Sequence, residues 1–227
     1  MTKKSSGYYL DSAARFGWGE ESAKLDKERV ALLINFIDGS KVLDVGCGSG
    51  IYVDYLSSLG YQVWGLDFVE KFIEGAKKNK KGNFVKGTAE KLPFEDNLFD
   101  TVFLFDILEH GDDKKILQQA KRVTSKRIII IVPRVVDKEL EQSGVIFRHY
   151  LDKSHLREYS EDDVKSLIKM VGLKLIYLKQ VHPLYNETVF AALFRGPVLL
   201  KKIIRKIVLS ILPIHQYPTE YFAVLEK

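Results

Sequence analysis

Apolar positions along this chain switch repeatedly between two spacings from Lys41 to Leu178. Short runs rich in β-branched residues alternate with stretches whose apolar residues recur every three or four positions. Such alternation predicts a parallel sheet covered by helices on both faces. The runs place strands over Lys41–Val45, Gln62–Leu66, Phe84–Lys86, Thr101–Phe105 and Arg127–Val132, then Lys174–Leu178 and Tyr221–Glu226. Ile128-Ile129-Ile130-Ile131-Val132 is unbroken, as befits a strand buried on both faces. Ser160-Glu161-Asp162-Asp163 opens a helix with a capping-box pattern; Val164, Leu167, Ile168 and Val171 form its apolar stripe, and Gly172 stops it. Upstream, Asp26 is the expected N-cap of a helix burying Val30, Leu33, Ile34 and Ile37.

Two further regions stand outside this alternation. Residues 137–159 join the fifth strand to the next helix and are long enough to carry function. Residues 197–213 read as an amphipathic helix, with Lys201, Lys202, Arg205 and Lys206 on one face. Leu199, Leu200, Ile203, Ile204, Ile207, Val208 and Ile211 make the other face. That helix can cap the site, form a dimer surface or lie on an anionic membrane, being too short and charged to span one. The whole, 1–227, reads as one domain: N-terminal helices over 1–38, a core over 41–178, the inserted helix and a final strand over 219–227.

Composition changes this picture little. At 227 residues, with 46% hydrophobic and 29% charged positions, the chain has the make-up of a soluble globular domain. Met1 to Gly7 lacks the apolar region of a signal peptide, and Cys47 is a lone cysteine, which fits a reducing, cytoplasmic setting. The net charge of +5 and pI near 9.0 fit RNA, an anionic membrane or an acidic substrate, and select none of them.

The chemistry begins at Val42-Leu43-Asp44-Val45-Gly46-Cys47-Gly48-Ser49-Gly50, where a strand runs into glycines at alternate positions. Glycine there lets the chain bend sharply and lets a ligand lie against bare backbone. Seventeen residues after Gly50, the second apolar run ends in another acid, Asp67, placed to accept ribose hydroxyls. The dinucleotide fingerprint has a wider glycine spacing, and an acid at Asp44 would repel a pyrophosphate. It suits a ligand carrying an ammonium and a sulfonium.

These residues resemble the first motif of the Rossmann-like (class I) methyltransferases that use S-adenosylmethionine (SAM). Lys86-Gly87-Thr88-Ala89-Glu90-Lys91-Leu92-Pro93-Phe94 resembles the family's adenine-contacting segment, with Thr88 where many members have an acid. Phe99 to His110 resembles its fourth strand and active-site turn. The resemblance implies a seven-stranded, mostly parallel α/β sheet with helices on both faces and an antiparallel last strand. It implies SAM held by Asp44, Gly46, Cys47, Gly48 and Gly50, by Asp67 and Phe68, by Thr88, Ala89 and Glu90, and by Phe105. It also implies an N-terminal partial lid. A Rossmann-like domain that binds a nucleotide for another purpose is the alternative.

In the turn Asp106-Ile107-Leu108-Glu109-His110, His110 is a candidate general base. Metal-dependent O-methyltransferases carry Glu-x-x-Glu-His here, so Asp106, Glu109 and His110 are candidate ligands for Mg²⁺, with Asp106 one methylene short. A structural role for Glu109 and His110 stands beside both readings. His155, in a segment resembling the family's His-Leu-Arg-aromatic stretch, is a second catalytic candidate. Tyr150 and Tyr159 are candidate pocket walls, while His149, His182 and His215 lack motif support. The turn lacks the Asn/Asp-Pro-Pro-aromatic sequence of the family's nucleic-acid and glutamine N-methyltransferases. The expected acceptor is therefore a small-molecule, glycan or lipid-linked hydroxyl. RNA 2′-O-methylation is an alternative, disfavoured because no basic tract is interleaved with stacking aromatics. A non-catalytic SAM-binding scaffold is another.

Overall fold

Strand β1 (Lys41–Val45) and the helix after it set the frame for everything else. The computed structural model of the chain describes residues 5–16, 24–136, 138–142, 151–185, 196–211 and 216–227. Helices α1 (Ser6–Phe16) and α2 (Lys27–Phe36) precede β1. Then come α3 (Ile51–Ser58), β2 (Gln62–Asp67), α4 (Glu70–Asn79), β3 (Asn83–Lys86) and β4 (Phe99–Phe105). After a single 3-10 turn, Leu108–His110, follow α5 (Asp113–Val123), β5 (Thr124–Pro133) and the short α6 (Lys138–Gln142). The described elements end with α7 (Glu161–Val171), β6 (Lys174–Tyr185), α8 (Val198–Ile211) and β7 (Gln216–Glu226).

The seven strands form one sheet in the order β3-β2-β1-β4-β5-β7-β6. Strands β1 to β5 pair in parallel, and β7 lies antiparallel to both β5 and β6. This is the expected architecture. The strand order reverses between β1 and β4, so a crevice opens at their carboxyl ends, where α/β sheets bind ligands.

Each face of the sheet has its own core. Ile128, Ile130 and Val132 of β5 point into a cluster with Ile116, Leu117 and Ala120 of α5 and Val164, Leu167 and Ile168 of α7. Ile129 and Ile131 point the other way, toward Leu33, Val53, Leu56, Ile73 and Ala76 of α2, α3 and α4. The unbroken apolar run is the consequence of that double burial. Capping follows the sequence closely. Asp26 accepts from the Arg29 N–H, Ser160 and Asp163 cap α7 reciprocally, and Gly172 ends it in the left-handed region.

Three elements depart from expectation. β6 and β7 run well past the predicted Leu178 and begin well before Tyr221, pairing as far as Tyr185 with Gln216. Polar residues and prolines in this ribbon (Gln180, His182, Pro183, Pro218) hide its strand character, because it projects beyond the core. In α2, Leu33 alone of the predicted face is fully buried, and Ile37 is the C-cap. In α8, Leu199, Leu200, Ile203 and Ile207 are 72%, 42%, 48% and 50% exposed, while Ile204 is half-buried. No described helix is long and apolar enough to cross a membrane.

Candidate active site

The backbone N–H groups of Gly46 and Cys47 both donate to the Leu66 carbonyl, at 2.7 and 3.0 Å, and this forces the chain to turn at the end of β1. Gly46 has φ +80°, and a Cβ there would fall 1.9 Å from Ile107 Cδ1, so any side chain would be strained and would have to displace Ile107. Gly48, at φ +50°, differs: a Cβ would meet nothing within 4 Å, and its backbone lies bare on a cavity of about 1330 Å³. Gly50 does not line that cavity. A Cβ there would sit 2.5 Å from the Phe84 ring, so this glycine makes room for Phe84 of β3 at the start of α3. The other candidate cofactor contacts, Asp44, Gly46, Cys47, Gly48, Asp67, Phe68, Thr88, Ala89, Glu90 and Phe105, all line the cavity.

Two acids make its floor. Asp67 accepts from the Gly48 N–H at 2.9 Å with one oxygen and from the Val69 N–H at 2.8 Å with the other. Burial pushes its carboxyl up, against the backbone N–H groups that pull it down. Asp44 is buried, and its Oδ2 has no hydrogen-bond partner. Burial, and then the neighbouring Asp67, push Asp44 well above the usual carboxylate range. A pyrophosphate would add negative charge to this pair, whereas an ammonium, a sulfonium and ribose hydroxyls would satisfy it. The residues present therefore fit SAM. Cys47 packs against β2, where a Cβ on Gly65 would lie 2.8 Å from its sulfur, and burial pushes its thiol up. It fills space and is not activated.

At the other end of the cavity, the turn after β4 separates the residues that sequence grouped together. Asp106, at φ +56°, takes the Arg29 guanidinium at 2.6 Å. The predicted metal set of Asp106, Glu109 and His110 is not brought together as ligands: Asp106 is taken by Arg29, although its charge still acts on Glu109 and His110. Arg29 also pairs with Glu220 of β7 at 2.8 Å and lies 5.8 Å over the Phe105 ring. His182, at φ +51°, has Nδ1 2.6 Å from Glu220 and Nε2 2.9 Å from Asp26. Burial pulls the His182 imidazole down, but Glu220 and Asp26 outweigh it and raise it to about 9. This network joins α2 to the β6–β7 ribbon along the cavity wall.

Glu109 and His110 meet His155 instead, and one ligand atom from each falls within 4.8 Å of the others. Glu109 is 0% exposed with neither oxygen hydrogen-bonded, and burial pushes it well up. His155 Nε2 stands 3.9 Å from it, and the two imidazole rings meet edge to face at 4.7 Å. The Tyr9 ring of α1 lies edge-on to His110 at 5.7 Å and to Phe68 at 5.0 Å, so the N-terminal helix covers this part of the cavity. His110 Nδ1 lies 2.9 Å from Ser154 Oγ, which donates to Asp152 at 2.6 Å. Tyr159 is core: it is buried, and its hydroxyl donates to Asp113. Tyr150, His149 and His215 lie outside the described residues.

Sequence reasoning missed Arg29, Asp152, Ser154, His182 and Glu220. Only Ser154, beside His155, stood next to a recognised motif; the rest are brought in by the ribbon, by α2 and by the connection after β5.

Comparison with known proteins agrees with this geometry. Residues 43–132 match the family described as a methyltransferase domain. A ubiquinone biosynthesis O-methyltransferase of Rickettsia bellii is 30% identical over 131 residues, 55% of this chain and 54% of that one. A demethylmenaquinone methyltransferase of Thermotoga maritima is 29% identical over 130 residues, covering 55% and 57%. The chain thus spans about half the length of the curated relatives it matches. Among solved structures, a SAM-dependent methyltransferase of Archaeoglobus fulgidus superposes with a TM-score of 0.69 at 21% identity, over 97% of this chain and 100% of that one. That likeness shows the fold. Glycine turn, paired acids, strand order and matched segment converge: residues 43–132 are similar to a methyltransferase domain, and they lie on a Rossmann-like sheet whose cavity fits SAM.

Proposed function

We propose that this protein methylates a hydroxyl of a small, largely apolar acceptor, with SAM as donor and His110 as the base. The observation that carries the reading is that His110 and the Asp44–Asp67 floor line one cavity. When bound, SAM supplies a methyl group already activated on a positively charged sulfur. The protein must then align the acceptor, exclude water and remove one proton. Asp67 would accept the ribose hydroxyls, the glycine turn with Asp44 would hold the methionine end, and Thr88 to Glu90 would border the adenine. Burial lowers the His110 imidazole, keeping it neutral and able to take a proton near pH 7.

The acceptor end has apolar and aromatic walls in Leu25, Tyr52, Phe105, Leu151 and Leu184, which suit an aromatic ring. The relatives named for ubiquinone biosynthesis and demethylmenaquinone support a quinol-type ring over a glycan. Helix α8, with exposed Lys202 and Lys206 beside its exposed apolar residues, would rest on an anionic membrane surface from which an apolar acceptor is drawn.

The test is incubation with methyl-labelled SAM and a catechol such as protocatechuate, followed by mass spectrometry. Labelled O-methyl product and S-adenosylhomocysteine in equal amounts are expected. His110→Ala should leave SAM affinity intact and lower kcat by about 10²–10⁴-fold. Turnover unchanged in that variant removes His110 from the chemistry; calorimetry showing uptake of NAD and not SAM ends the proposal.

A further inference from the structure

We infer that Asp152, acting through Ser154, fixes His110 with its proton on Nδ1 and leaves Nε2 as the atom that accepts the acceptor's proton. The inference deepens the proposed function and rests on it for its kinetic arm alone.

The argument is a count of protons. Asp152 Oδ1 receives the Ser154 hydroxyl at 2.6 Å, the Ser154 N–H at 2.8 Å and the Tyr8 hydroxyl at 2.9 Å. Three donors on one oxygen favour the ionised carboxylate, which has no proton to give back. The Ser154 hydroxyl has a single hydrogen, and the 2.6 Å contact with a carboxylate commits it to Asp152. Ser154 Oγ can then meet His110 Nδ1, 2.9 Å away, only as an acceptor. Nδ1 therefore carries hydrogen, and the neutral ring keeps its lone pair on Nε2.

The elements explain why this arrangement is rigid. His110 ends the 3-10 turn after β4, while Asp152 and Ser154 belong to the connection that leads into α7. The Leu156 N–H donates to the Glu109 carbonyl at 2.8 Å and ties the two segments together. The His155 and Tyr9 rings stand edge-on to the imidazole and restrain its rotation. Tyr8 extends the chain of hydrogen bonds from Asp152 to α1. In the reaction the hydroxyl proton passes to Nε2, and the oxygen keeps the electron pair with which it bonds carbon. The imidazolium so formed holds its Nδ1–H on Ser154, and Asp152 stays ionised. Ser154 and Asp152 act through His110 and are positioning residues, although Asp152 also lines the cavity.

Nitrogen-15 NMR of the full chain with labelled histidine reads the tautomer directly. His110, assigned by its loss in His110→Ala, should show a pyrrole-like Nδ1 and a pyridine-like Nε2. Ser154→Ala and Asp152→Asn should shift it toward a mixture of tautomers, and Ser154→Thr should restore the original pattern. With protocatechuate and SAM, the same two variants should lower kcat about 10–100-fold with the KM for SAM unchanged, and Ser154→Thr should recover most of the rate. A pyridine-like Nδ1 in the parent protein, or a tautomer and kcat indifferent to both substitutions, overturns the inference. A parent protein that shows the expected tautomer but makes no O-methyl product refutes the proposed function and leaves the tautomer assignment standing.

Discussion

At the scale of single residues, the cavity floor is decided by one carboxylate whose two oxygens are already spoken for by backbone. Gly48 and Val69 hold Asp67 rigidly at the tip of β2, so its remaining lone pairs point in fixed directions. Asp67→Ala should weaken SAM binding by about 1–3 kcal/mol, the scale of charge-assisted hydrogen bonds lost. Isothermal calorimetry at constant salt measures it, and an unaltered Kd would assign the ribose elsewhere. Much of this was readable in advance, because a glycine pattern and an acid at a strand end constrain backbone geometry locally. Gly50 shows the limit. Its spacing matched the ligand-contacting glycines, yet its missing Cβ makes room for Phe84, a residue 34 positions on.

At the scale of elements, the β6–β7 ribbon and α2 are clasped by charge. His182 sits between Glu220 at 2.6 Å and Asp26 at 2.9 Å; its backbone N–H donates to the Glu28 carboxylate at 3.1 Å, and the Arg29 charge opposes its protonation. Its folded-state pKa, about 9, stands above the unfolded value of about 6.5. The protonated form is thus favoured by folding, and the stability it contributes is complete below pH 6.5 and is lost as pH rises through 9. Thermal unfolding from pH 6 to 10 should show a steeper alkaline decline in the parent than in His182→Gln; parallel curves would mean that the clasp adds nothing. Helix α8 supplies the second expectation at this scale. The chain should float with vesicles containing phosphatidylglycerol and not with neutral ones, and Ile203→Glu should abolish flotation. Equal recovery on both lipids, or from the variant, would leave the exposed face without a membrane role. The helix itself was legible from its spacing, whereas the direction of its apolar face was not, since amphipathicity does not say which neighbour is absent.

At the scale of the whole molecule, topology brings together what the sequence keeps far apart. The turn after β4 offers Asp106, Glu109 and His110 within five residues, and proximity along the chain suggested a shared metal. In the fold Asp106 is committed to Arg29, 77 positions away, and His110 Nδ1 to Ser154, 44 away. With one carboxylate withdrawn and one imidazole nitrogen occupied, methyl transfer should proceed unchanged after exhaustive treatment with EDTA. Loss of turnover that Mg²⁺ restores would instead assign an ion to Glu109, His110 and His155. Sequence by itself determined the alternating architecture, the glycine turn, the acid at each strand tip and the helix caps, because period, backbone strain and capping act over a few residues. Only the tertiary structure decided which partner each charged side chain takes. Buried charges and imidazoles must find complements wherever the packed sheet places them, and that distance in space has no counterpart in spacing along the chain.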